Sequence, residues 1–295
     1  MHRLILHNDD VRDAAENCTS PGQVGLMNGW GVFSTLRVTD GVLFAFERHF
    51  ARMSRDAKLL HVPFPSQPDW LHGRLLNLVE ANHAFNATLR VAVVRNQGGP
   101  FEGPASNRTF DLIAFTADLT SWPDSVALAW KPDARHARNP FAGVKVLSWA
   151  FNLTWNEEAH DHGFDEVVLL NERGEVSECT SANMFVVEGC QVWTPPLESG
   201  CLPGVTRAIL LEEVRVPDTR IGEKTLRAAD LEQADGVFIT SSTRDLLRVR
   251  QIEGLNVRQG AQDLCEKLKK AFVDYRKAYV AQAVQRADTN HVVNV

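Results

Sequence analysis

Lys145 stands in "NPFAGVKVLSW" (139–149), a run that otherwise reads as buried strand. Burying an ammonium is costly unless it is paired or loses its charge, and a lysine that loses its charge becomes a nucleophile. The alternative is a lysine that ends a strand and reaches water along its stem. Glu178 ends the alternating stretch "GEVSEC" with the parity, and so the face, of Val176. A carboxylate on a core face needs a partner, either an arginine in a structural ion pair or the protonated ring nitrogen of a cofactor. In "CLPGVTRAILLE", Pro203 and Gly204 close a loop that turns into a helix at Val205 and Thr206. Free N–H groups and a threonine hydroxyl there suit a phosphate, or simply an N-cap. "GVFITSSTRD" places Ser241, Ser242 and Thr243 after a buried strand, a hydroxyl cluster fit for phosphate or for a turn. In "VFSTLR", Phe33, Thr35 and Arg37 share one face, opposite Ser34 and Leu36, and could line a pocket for a carboxylate-bearing substrate; otherwise Arg37 pairs with an acid. Arg95, ending "VAVVR", has the same two readings.

The elements that must position these residues follow from periodicity. "GVFSTLRVT" (31–39) and "VLFAF" (42–46), parted by Asp40-Gly41, predict a hairpin. Phe46, Phe50, Met53, Ala57 and Leu60 recur at three and four, predicting one helix face that leaves Arg48, Arg52 and Arg55 aside. A helix near 70–83, strands at 89–95 and 110–115, and a Gly- and Pro-rich loop (96–107) between those strands complete an N-terminal α/β domain over 1–118. A polar linker (119–124) leads to a larger C-terminal α/β domain over 125–285. It comprises "VALAW", the Lys145 strand, a helix at 149–161 stopped by Gly163, a meander of strands from "EVVLL" to "QVWT", a helix from Thr206, the strand "GVFIT" and a terminal helix at 263–284. Residues 286–295 are expected as a loose tail.

Composition bounds the possibilities. A length of 295 residues with 44% hydrophobic content fills two cores, and a net charge of -6 with interspersed signs gives no basic stripe for nucleic acid. No apolar run approaches the roughly 20 residues that span a bilayer, and "MHRLILHNDD" lacks a secretory h-region, so a cytoplasmic chain without membrane partners is expected. The cysteines, Cys18, Cys179, Cys190, Cys201 and Cys265, show no C-x-x-C spacing, and reduced thiols are expected. His160, Asp161 and His162 are consecutive at a helix end and cannot all face one ion, so no metal is expected. Neither G-x-G-x-x-G, a P-loop nor G-x-S-x-G is present.

Taken in order, Lys145, "GFDEVVLLNERGEVSECTSANMF", "WTPPLESGCLPGVTR" and "GVFITSST" resemble the fold type IV pyridoxal-phosphate enzymes: branched-chain and D-amino-acid aminotransferases and aminodeoxychorismate lyase. The resemblance spans roughly residues 25–250. It implies an α+β, two-domain fold of the D-amino-acid aminotransferase type, pyridoxal 5'-phosphate as cofactor, and a homodimer. Lys145 would form the Schiff base and carry the proton, and Glu178 would keep the pyridine nitrogen protonated. The phosphate would lie against Val205 and Thr206, with Ser242, Thr243 and a helix arginine around it. The family pattern H-x-x-R-[LM]-x-x-S-A, met here by His49, Met53 and Ala57, makes that arginine Arg52 and leaves Arg48 and Arg55 as surface residues.

Several positions depart from the pattern: Asn28 and Ala150 replace tyrosines of the branched-chain transaminases, Asp56 replaces the usual serine, and Arg248 replaces a proline. "GWGVFSTLRVTDG" and "RNPFAGVK" are close to the lyase, "TPPLESGCLPGVTR" to the transaminases. The resemblance therefore implies an aminotransferase of amino-acid metabolism working between an amino acid or amine and a 2-oxo acid. The alternative is an aminodeoxychorismate lyase that releases pyruvate to give 4-aminobenzoate. A non-catalytic cofactor binder sits poorly with the presence of both Lys145 and Glu178.

Overall fold

The computed structural model describes residues 1–16, 19, 22–99, 102 and 108–293, with side chains as far as Arg286. Cys18 and part of the 96–107 loop lie outside the described residues. The chain divides into two compact units, one of residues 1–120, 145–149 and 276–295, the other of 121–144 and 150–275.

The first unit holds β1 (Leu4–His7), β2 (Asp10–Asp13), α1 (Val24–Asn28), β3 (Gly31–Thr39), β4 (Val42–Leu43), α2 (Phe46–Leu59), α3 (Pro68–Ala81), β5 (Ala87–Arg95) and β6 (Phe110–Asp118). Its sheet runs β2-β1-β6-β5-β3-β4 and is antiparallel throughout. Strict alternation sorts β3 into two rows. Val32, Leu36 and Val38 join Leu89, Val91 and Val93 of β5 in the core beneath Met53 and Ala57 of α2 and Leu71, Leu75 and Leu78 of α3. Each of these larger side chains contributes about 1.5–3 kcal/mol by leaving water.

The second unit holds β7 (Ser125–Arg135), α4 (Ala150–Asp161), β8 (Glu166–Asn171), β9 (Val176–Cys179), β10 (Asn183–Glu188), β11 (Gln191–Thr194), α5 (Val205–Glu212), β12 (Arg220–Glu223), α6 (Ala228–Gln233), β13 (Gly236–Ser241), β14 (Asp245–Ile252) and the start of α7 (Gln262–Val293). Its sheet runs β12-β11-β10-β13-β14-β7-β8-β9. One face carries the core of Leu128, Val168, Met184, Val186, Ile239 and Leu247. Phe185 and Phe238, of the other parity, stack with ring centroids 5.0 Å apart.

Two features differ from the linear division into domains. Residues 145–149 group with the first unit, because Phe33 N–H donates to the Lys145 carbonyl and Leu147 N–H to that of Gly31, with one bridge between Val32 and Val146. The expected Lys145 strand is thus a short extended segment alongside β3. Before it, Pro140 has no N–H to give a ladder and Gly143 turns at φ +70°. The segment expected as a tail from 286 continues α7 through Val293, and residues 294–295 lie outside the described residues. Among the described residues, no helix is long and apolar enough to cross a membrane.

Candidate active site

In the first unit the site is built from α2 and β3. Besides its apolar stripe, α2 buries a polar one, His49, Arg52 and Asp56, at the three- and four-residue spacing of one helix face. Arg52 donates from Nη2 to Ser34 Oγ at 2.7 Å, and Ser34 Oγ lies 2.7 Å from His49 Nδ1. Ser34 interrupts the core row of β3 and is fully buried. Among the described residues Arg52 forms no salt bridge, and its buried Nε has no hydrogen-bond partner. Burial pushes the Arg52 guanidinium down to about 10. Burial, then the charges of Arg52 and Lys145, hold His49 well below the ordinary imidazole range. Asp56 accepts from Arg55 Nε at 2.9 Å and from the Lys145 backbone N–H at 3.0 Å, which ties the lysine segment to α2. Arg55 is therefore an ion-pair partner of a buried acid rather than a plain surface residue.

The other row of β3 faces Lys145. Its Nζ lies 4.5 Å from the Phe33 ring centroid and 5.6 Å from that of Trp149, and the two rings meet edge to face at 5.8 Å. Arg90, opposite Thr35 in the β3–β5 register, places Cζ 4.0 Å from the same Phe33 centroid. Burial lowers the pKa of Arg90, and no acid partner for it is found among the described residues. The Lys145 amine and the Arg90 guanidinium thus both lie over the Phe33 ring.

In the second unit Glu178, at the end of β9, accepts from Arg135 Nε through Oε1 at 3.0 Å and from Leu202 N–H through Oε2 at 3.0 Å. Arg135 in turn reaches Asn152 Oδ1 at 3.2 Å, and Asn152 donates to the Thr180 carbonyl at 2.7 Å. The arginine partner foreseen as one alternative is present, and the carboxylate keeps further lone pairs for another donor. Gly204 begins α5, whose first turn has no side-chain cap, and a Cβ on Gly204 would collide with Asn183 Oδ1. Val205 and Thr206 thus present first-turn N–H groups behind a bare glycine. Ser242 and Thr243 lie in the tight turn between β13 and β14. The next residue, Arg244, anchors that turn by reaching Ser181 Oγ at 2.8 Å and Glu166 at 3.2 Å.

Of the residues singled out in the sequence, the structure groups Phe33, Arg52 and Lys145 in the first unit, and Glu178, Val205, Thr206, Ser242 and Thr243 in the second. Thr35 and Arg37 are half-buried farther along the Phe33 row. Arg95 differs from its expected role as a carboxylate partner. Its Nε donates to the Gln97 carbonyl at 2.6 Å, Nη1 to that of His61 at 2.5 Å, and its guanidinium stacks 4.1 Å over Trp30. His160 and His162 contact the Asp165 and Glu158 carbonyls at the end of α4. Ser34, Arg90, Arg135 and Trp149 were not foreseen. Ser34 signals itself as a hydroxyl on an apolar row, whereas Arg90 emerges only from the register of β3 with β5.

Residues 31–252 match the family model of amino-transferase class IV. A putative branched-chain-amino-acid aminotransferase of Methanocaldococcus jannaschii is 29% identical over 259 residues, covering 85% of this chain and 89% of that protein. The branched-chain amino acid aminotransferase of Escherichia coli superposes with a TM-score of 0.84 at 22% identity, covering 93% of this chain and 94% of that one. A putative 4-amino-4-deoxychorismate lyase of Legionella pneumophila superposes at 0.78 and 23% identity, covering 86% and 94%.

Proposed function

The chain belongs to the class IV aminotransferases, and from that premise we propose that it moves an amino group between an amino acid or amine and a 2-oxo acid, with Lys145 as the catalytic amine. The family's cofactor is pyridoxal 5'-phosphate, which supplies an aldehyde that takes up amino groups and a ring that accepts electrons. The residues present fit that group. A phosphate would supply an acceptor for the orphan Nε of buried Arg52. The uncapped start of α5 behind Gly204 offers Val205 and Thr206 N–H groups to the same kind of ligand, with the Ser242 and Thr243 hydroxyls as further donors. Glu178, oriented by Arg135 and Leu202, has an oxygen available for a protonated ring nitrogen.

The observation that carries the reading is Lys145 Nζ over Phe33 and Trp149 beside Arg90, which has no acid partner among the described residues. With the cofactor bound, Lys145 Nζ would be the amine that holds it and the base that takes the proton from the substrate α-carbon. Arg90 receives a substrate carboxylate and sets that carbon against Nζ, while Phe33 and Trp149 exclude water from the amine.

The lyase remains the second reading because of the lyase-like "FSTLR" strand and the superposition with the Legionella protein. Spectra separate the two. A transaminase stores the amino group on its cofactor, so a panel of L- and D-amino acids and simple amines, without oxo acid, should bleach the visible absorbance for at least one compound. Adding 2-oxoglutarate or pyruvate should restore it. Absence of bleaching together with pyruvate release from aminodeoxychorismate assigns the lyase. The family resemblance also supports a homodimer, for which sedimentation is the test.

A further inference from the structure

We propose that Ser34 is a positioning residue that locks Arg52 into its phosphate-binding pose, with His49 as the acceptor that fixes the direction of the Ser34 hydroxyl; this rests on the reading of Arg52 as a phosphate ligand. A guanidinium can only donate, so the 2.7 Å contact from Arg52 Nη2 uses a lone pair of Ser34 Oγ. The single Ser34 proton must then go to another acceptor, and His49 Nδ1 stands 2.7 Å away. Nδ1 accepts only when it is unprotonated. In the proposed row His49 is the neutral tautomer carrying its proton on Nε2. The surroundings favour the neutral ring: His49 is buried on α2, with Arg52 on its own helix and Lys145 on the segment beside β3 both repelling a second proton.

The direction of donation is thereby set along the row, from Arg52 to Ser34 to His49. This removes rotamer freedom from a long side chain before any ligand arrives, and a preorganised guanidinium gives up less entropy on binding. The row is built across two elements: Ser34 lies fully buried on the core row of β3 among Val32, Leu36 and Val38, with Arg52 and His49 of α2 as its polar neighbours.

Titrating apoprotein with pyridoxal 5'-phosphate, followed by quenching of tryptophan fluorescence, tests this without reference to turnover. Ser34→Ala should raise the Kd about tenfold, while leaving the Kd for pyridoxal, which lacks the phosphate, unchanged. The double variant with Arg52→Gln should bind no worse than Arg52→Gln alone, because Ser34 acts through Arg52. Loss at Arg52→Gln with none at Ser34→Ala, or an equal loss for pyridoxal, overturns the positioning role. No loss at Arg52→Gln overturns the phosphate reading itself and the positioning role with it. Should Ser34→Ala fail to fold, nitrogen NMR of histidine-labelled wild type decides: His49 should stay neutral with Nδ1 unprotonated at pH 6, and a proton on Nδ1 refutes the row.

Discussion

The two units handle buried charge in opposite ways. In the second, Glu178 is compensated from within, by Arg135 on one oxygen and a backbone N–H on the other. In the first, Arg52 donates to a serine hydroxyl and feels the charge of Asp56 without forming an ion pair with it, and Arg90 lies over Phe33 with no acid partner among the described residues. The acid there, Asp56, is already engaged by Arg55 and the Lys145 backbone. A pre-paired charge gives a fixed reference dipole, whereas a buried guanidinium with an unmet N–H, as Arg52 has at Nε, favours an added acceptor. On the proposed reading, the first unit contributes guanidinium donors, and the second contributes a carboxylate held by its own arginine beside backbone and hydroxyl donors.

The sharpest way to break that division is at the amine itself. Lys145→Ala should cut turnover about a thousandfold or more, since nucleophile and proton carrier are lost together, and the visible absorbance of the loaded protein should shift. Turnover near wild type would remove the first unit from the chemistry. The next largest effect is on stability in the second unit. Glu178→Ala leaves the half-buried Arg135 without its acid and removes two charge-assisted hydrogen bonds, which should cost about 2–3 kcal/mol in urea unfolding, whereas Glu178→Gln, which keeps one acceptor, should cost less. Equal small losses would mean that Glu178 is not the compensated charge described.

Arg55→Ala gives a smaller test. The helical pattern placed Arg55 outside the apolar stripe, which predicts a change within about 0.5 kcal/mol for a surface side chain. Its contact to buried Asp56 instead predicts a loss of about 2 kcal/mol, read as a shift in the urea midpoint at constant slope. A value under 0.5 kcal/mol would show that the Lys145 N–H alone satisfies Asp56.

That case also shows what the sequence could and could not convey. The hydrophobic period located α2 within a residue, because burial of Phe46, Met53 and Ala57 is a one-dimensional signal. The parity of β3 put Phe33 on the face away from Leu36, and the structure sets Lys145 over it. The polar stripe His49, Arg52 and Asp56 obeys the same spacing, yet charged residues off an apolar stripe read as solvent-facing unless their partners are known. Those partners, Ser34 and the Lys145 segment, lie 18 and 89 positions away. Arg90 needed the β3–β5 register, and Arg95 was drawn away by two loop carbonyls that no periodicity encodes.

The smallest effect probes the uncompensated charge directly, through pH. His49 is held neutral in the fold, below its ordinary 6.5, by burial and by the charges of Arg52 and Lys145. Above pH 6.5 both folded and unfolded chains carry it neutral, so it contributes no pH dependence. Below that value the unfolded chain binds a proton that the folded chain refuses, and stability falls as pH falls. The loss approaches about 1.4 kcal/mol per pH unit and amounts to roughly 1 kcal/mol between pH 6.5 and 5.5. The apoprotein should show this loss by urea unfolding, and His49→Gln should remove it, the other titrating groups cancelling in the difference. Lys145→Met deletes one of the two repelling charges, so it should shrink the loss by a few tenths of a kcal/mol without abolishing it. An acid slope identical in wild type and His49→Gln would mean that the first unit already holds its counter-anion, and the contrast between the two units would disappear.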